Sequence, residues 1–91
     1  MIHGRVHIDR FSAGLDDLSK KDQRDDAAVL RVLKRTGRFS AFEASDNEGI
    51  AATVTRLLRD KLIESIGGEY PWTKVLVTAA GEAVLQKRDK F

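Results

Sequence analysis

The chain contains no cysteine, which excludes a disulfide framework and any thiolate metal site. No apolar run approaches the roughly 18–20 residues that a bilayer-spanning helix needs. The first ten residues alternate polar and apolar side chains and so lack the unbroken apolar stretch of a secretory signal. The expectation is a chain with no membrane segment and a cytoplasmic address. Neither sign of charge prevails, since 16 basic and 14 acidic side chains leave a net charge of +2. Patterns of catalysis are missing as well. There is no cysteine nucleophile, no glycine-rich phosphate loop, and no Ser, His and Asp set tied to a strand–turn–helix. No enzyme activity and no cofactor are expected. His3, His7 and Asp9 share one face if residues 1–10 are extended, but two imidazoles and one carboxylate on a terminal arm are a thin ligand set, and no metal site is expected.

What is present describes an ordinary globule. Apolar residues make up 42% and charged residues 33% of 91 positions, enough for one domain with one core. Basic residues cluster at Arg31, Lys34, Arg35 and Arg38, and again at Arg56, Arg59 and Lys61. Local patches of this kind attract phosphate even on a nearly neutral chain. Ile2, Val6 and Ile8 alternate with polar residues, so residues 1–18 read as an N-terminal arm or edge strand, and residues 19–91 as the main domain.

Ser19 and Asp22 have capping-box spacing, and Val29, Leu30 and Leu33 recur at helical intervals up to Gly37, which predicts a helix over 20–36. Ser40 and Glu43 form a second such pair and open a short helix, with Phe39 and Phe42 supplying its apolar contacts. Ser45-Asp46-Asn47 interrupts it, and a longer helix follows to about Lys61, with Ile50, Val54, Leu57 and Leu58 on one side. Two β-rich runs around Gly67-Gly68 read as a hairpin whose loop covers 69–73 and includes Pro71. Thr78 caps a last helix with Ala80, Val84 and Leu85 inward, fraying over 87–90.

The order helix, short helix, longer helix, hairpin, C-terminal helix predicts a mainly α fold with a small β-hairpin, a winged helix-turn-helix over residues 40–85. Thr53-Val54-Thr55-Arg56-Leu57-Leu58 with Leu62-Ile63-Glu64 resembles the recognition helix and wing of MarR-like regulators. Val77-Thr78-Ala79-Ala80-Gly81 resembles their Leu-Thr-x-x-Gly segment after the wing. Lys61 stands where that family usually has glycine, and the wing offers Glu69, Tyr70 and Trp72 where the family commonly has Arg or Lys. The long dimerisation helices of that family are not expected within these residues. The resemblance therefore implies the fold and DNA binding but not ligand sensing.

With Ile50, Val54 and Leu57 inward, the recognition helix is expected to present Glu48, Ala52, Thr55, Arg56 and Arg59. Ala52 permits close approach to base edges, Thr55 and Arg56 suit base contacts, and Arg59 suits the backbone. Asn47 at the helix start and Lys74 at the wing base complete the expected DNA-binding set. Tyr70 and Trp72 either pack back on the helices, form a partner surface, or touch the minor groove. The expected function is sequence-specific binding of double-stranded DNA by a small transcription regulator or replication-accessory protein, as a homodimer joined through the N-terminal arm and last helix. The alternative is a winged-helix protein-interaction module that contacts a protein partner through the wing.

Overall fold

A computed structural model describes residues 14–89. Residues 1–13, with His3, His7 and Asp9, and residues 90–91, with Lys90 of the expected fraying segment, lie outside the described residues. The described chain is mainly helical, with a three-stranded antiparallel sheet in the order β1-β3-β2.

A 3-10 turn at Leu15–Asp17 leads into α1 (Lys20–Gln23) and α2 (Asp26–Thr36). The single helix expected over 20–36 is thus two. Ser19 Oγ accepts the Asp22 N–H at 3.1 Å and starts the first. Asp25 Oδ1 accepts the Ala27 N–H at 3.1 Å and starts the second. An aspartate that caps a new N-terminus competes with continuation of the old helix. The break also frees the Gln23 carbonyl, which lies 2.7 Å from the Thr53 hydroxyl in the buried interior. Leu15, which the sequence reading places in the arm, is packed into the core.

Gly37 ends α2 in the left-handed conformation at φ 73°, donating its N–H to the Leu33 carbonyl at 2.7 Å. The chain then forms β1 (Arg38–Ser40), a strand the sequence pattern does not predict, and α3 (Ala41–Asp46). Ser40 and Glu43 close the expected capping box. The Ser40 N–H donates to Glu43 Oε1 at 2.7 Å, and Ser40 Oγ accepts the Phe42 N–H at 3.0 Å. Glu43 Oε2 also takes the Leu15 N–H at 3.0 Å, tying the 3-10 turn to this corner. Phe42 itself is exposed, against the expectation that it anchors α3, while Phe39 packs on the core.

Asn47 is the one residue between α3 and α4 (Glu48–Arg59). Ile50, Val54 and Leu57 are buried as expected, but Leu58 is exposed and Thr53 takes the inner position beside them. The helix ends at Arg59 rather than Lys61. Lys61 lies at φ 61°, in the left-handed region where the resembled family carries glycine.

The hairpin comprises β2 (Ile63–Gly67) and β3 (Trp72–Val77). Its connection is 68–71, shorter than the expected 69–73, because Thr73 and Trp72 pair with Phe39 and Ser40 of β1. The Ala41 N–H donates to the Pro71 carbonyl at 2.7 Å and pins this loop to the start of α3. Ile63 and Val75 close the core from the sheet side.

Helix α5 (Ala79–Asp89) starts as expected at Thr78, whose Oγ1 accepts the Gly81 N–H at 3.1 Å and donates to the Lys61 carbonyl at 2.7 Å. Its inner residues are Gly81, Leu85 and the partly buried Val84, with Ala80 exposed rather than inward. A Cβ on Gly81 would collide with the Leu62 carbonyl oxygen and Val77, so only glycine lets α5 approach the two ends of the hairpin this closely. The helix does not fray at Lys87 but runs through Asp89, and Arg88 pairs with Asp25 at 3.3 Å.

Candidate functional site

The site grows from how α4 is held. Its inner side meets α2 and β2 through Ile50, Val54 and Leu57, and Thr53 bonds to the end of α1. Gly49 sits against the Arg24 and Gln23 side chains. These contacts leave Glu48, Ala52, Thr55 and Arg59 exposed. At 100° per residue these four positions fall within about 60° of one another and extend about 16 Å along the axis. They form one open stripe with two small residues, Ala52 and Thr55, at its middle and the long side chains Glu48 and Arg59 at its ends.

Arg56 is not part of the stripe. It turns about 80° from Glu48 toward the start of α2, where Nη2 lies 2.6 Å and Nε 3.2 Å from Asp26 Oδ1. Nη2 also donates to the Arg24 carbonyl at 3.2 Å. A guanidinium held through Nε and Nη2 against the start of α2 is turned to the flank of α4, so Arg56 is half-buried in an ion pair and not on the open stripe as expected. Asn47 is similarly engaged. Its Nδ2 donates to Asp16 Oδ1 at 2.7 Å and more weakly to the Glu43 carbonyl at 3.3 Å, and its side chain makes no capping bond to α4. Arg59 is exposed and paired with the neighbouring Asp60 carboxylate at 3.0 Å, which raises its pKa above the ordinary arginine value.

Cations flank the stripe at both ends. Lys20 and Arg24 line a shallow cleft with Asn47 and Glu48 at the start of α4. Lys61 lines a second cleft with Leu58 and Glu64 at its end. The sequence reading missed Lys20 and Arg24, because only the break between α1 and α2 carries them beside α4.

The remaining expected residues lie on the hairpin. Tyr70 is 80% exposed and meets Phe42 edge-on, with centroids 6.1 Å apart. Trp72 is 40% exposed, with the Arg38 guanidinium 4.2 Å from the centre of its ring. Of the readings left open for these aromatics, packing back on the helices as core is thus not what Tyr70 does. Lys74 stands opposite Arg38 on the sheet face turned away from the helices, apart from the α4 stripe. Arg38 and Phe42 were not singled out from sequence, and only the pairing of β1 with β3 reveals them.

Among the described residues, no group of three His, Asp or Glu is placed to hold a metal ion, and no helix is long and apolar enough to cross a membrane. No protein-family model matches the chain, and no curated protein or solved structure matches it significantly.

Proposed function

We propose that this chain is a winged helix-turn-helix that binds double-stranded DNA, as a small transcription regulator or replication-accessory protein. The observation that carries the reading is the open stripe of Glu48, Ala52, Thr55 and Arg59 on a helix whose other side is closed by the core. A short helix, a one-residue turn and a longer helix followed at once by a hairpin are the parts of a module that lays its second helix in the major groove. In this reading Ala52 admits base edges, Thr55 hydrogen-bonds an edge or meets a thymine methyl, and Glu48 accepts from a cytosine amine. Arg59, Lys61, Lys20 and Arg24 meet phosphates on either side of the groove. Arg56 acts indirectly, holding the helix angle through Asp26. A homodimer belongs to the same reading, because one such module spans few base pairs.

Fluorescence anisotropy of a labelled random duplex, titrated from about 50 to about 200 mM salt, tests it. Each phosphate contact contributes a slope of about −0.9 in log affinity against log salt. The four flanking cations thus predict a slope of about −3 to −4. Binding without salt dependence, or none at the lowest salt, contradicts the proposal.

A second reading is favoured by the exposed Phe42, Ile66, Tyr70, Trp72 and Leu76. An apolar surface of this kind, on the hairpin and the adjoining start of α3, suits a protein partner better than phosphate. In that reading the fold is an interaction module, and duplex DNA leaves no signal.

A further inference from the structure

Among the described residues, the open stripe of α4 carries one uncompensated charge, and it is negative. Arg59 is paired with Asp60 at 3.0 Å, so the C-terminal end of the stripe is nearly neutral. Glu48 at the other end is exposed and has neither an ion-pair nor a hydrogen-bond partner there. Lys20 and Arg24 line the same cleft without closing on it. A carboxylate brought against a polyanion weakens binding wherever it meets only phosphates or base acceptors. It strengthens binding only where it meets a donor. Thr55 is equally unengaged. The hydroxyls of Thr36 and Thr53 donate to carbonyls four residues back, at 3.0 and 2.8 Å. The Thr55 hydroxyl has no partner among the described residues.

We infer that Glu48 sets the specificity of this face, admitting DNA that offers it an unmethylated cytosine amine and rejecting other DNA. The inference rests on the DNA-binding reading above and adds which base, in which chemical state, the helix requires. Major-groove edges carry two donors, the N4 amine of cytosine and the N6 amine of adenine. Adenine sets its N7 acceptor beside the amine, and guanine and thymine present acceptors, all of which repel a carboxylate that can only accept. Cytosine has only a C–H beside its amine. Thr55 lies about 10 Å further along the axis, which is about three base-pair steps of 3.4 Å. A thymine at that separation offers its methyl group and O4 to the Thr55 side chain. In a Watson–Crick pair, the second N4 proton of cytosine points into the major groove. N4-methylation replaces that proton and keeps the pair, so it removes the one donor Glu48 needs. A first-turn carboxylate also favours the helix dipole, but that role is blind to the base and to its methylation.

Selection from a duplex library randomised over one helical turn, at about 50 mM salt, compares the parent with Glu48→Gln. The parent is expected to enrich cytosine at one position of its motif. Glu48→Gln is expected to enrich adenine there, since an amide pairs with adenine through N6 and N7, and to keep the rest of the motif. On a duplex without the motif, Glu48→Gln is expected to bind more tightly than the parent, having lost the repelled charge. N4-methylcytosine placed at the selected position is expected to weaken the parent at least about fivefold, the low end for one lost base contact. The same duplex should change Glu48→Gln by less than about twofold. Both proteins are expected to share one circular dichroism spectrum, and should the variant unfold, the methylated duplex decides on the parent alone. A parent that binds all duplexes alike or enriches a motif without cytosine overturns the inference and leaves DNA binding standing. So does a folded Glu48→Gln that enriches the parent's motif, or a methylated site bound as tightly as the plain one. A parent that binds no duplex overturns both.

Discussion

Helix α4 and the hairpin that follows it are adjacent in sequence but handle charge and apolar surface in opposite ways. On α4 the large apolar residues Ile50, Val54 and Leu57 lie in the core and only Leu58 is exposed, and both arginines have carboxylate partners, Arg56 with Asp26 and Arg59 with Asp60. On the hairpin, Ile66, Tyr70, Trp72 and Leu76 are exposed, and Lys74 faces Arg38 without a counter-ion among the described residues. A helix meant to enter a groove needs a fixed angle and a smooth outer stripe, and internal ion pairs supply the angle. A surface left apolar and electrostatically unbalanced is complete only with something laid on it. The contrast sets a helix face open to the proposed DNA contact against a sheet face that leaves apolar side chains exposed.

The largest expected effect separates the two regions by stability. Leu57 on α4 is fully buried, so Leu57→Ala should cost about 2–5 kcal/mol, against a total of about 5–15 for a small domain. Leu76→Ala on the hairpin should change the unfolding free energy by less than about 0.5 kcal/mol, measured on dilute protein by urea titration. Equal costs would erase the distinction drawn here. Next is Gly81→Ala, which drives a methyl into the Leu62 carbonyl and Val77 at the junction of the hairpin and α5. It should destabilise by about 1–3 kcal/mol, although alanine is the better helix former at an open position.

Arg56→Ala should cost no more than about 1 kcal/mol in the same titration, since both members of its ion pair are more than a third exposed and screened by solvent. Lys61→Gly should act in the opposite direction. Its φ of 61° is strained for lysine and free for glycine, and relief of about 1–2 kcal/mol is offset by the greater entropy of glycine in the unfolded chain. The net gain is expected at up to about 1 kcal/mol, visible as a rise in thermal midpoint.

Helix starts and stops were the most legible part of the sequence, because they are local. Ser40 with Glu43, Gly37, and Thr78 with Gly81 each act within three or four residues, and each does what its spacing implies. The break at Asp25 was not legible, because Ser19, Asp22, Asp25 and Asp26 all offer caps and only packing against Thr53 selects two of them. Strand β1 was not legible because three residues cannot show a period, and its pairing with β3 joins positions over thirty residues apart. The open stripe on α4 followed from helical geometry alone, including Ala52, Thr55 and Arg59. The inward turn of Arg56 did not, since its partner Asp26 belongs to a different helix. The face shared by Arg38 and Lys74 depends wholly on register.

The central claim is that duplex DNA lies on α4 and not on the hairpin, and paired substitutions in one binding titration test it most directly. Ala52→Glu places a carboxylate in the middle of the open stripe without touching the core, and Trp72→Ala removes the largest exposed ring of the sheet. On a duplex containing the preferred site, at about 50 mM salt, Ala52→Glu should lose at least about tenfold in affinity, or ~1.4 kcal/mol. Trp72→Ala should stay within about twofold. Both proteins are expected to match the parent in circular dichroism. The reverse order, with Trp72→Ala crippled and Ala52→Glu binding as the parent does, would contradict the account.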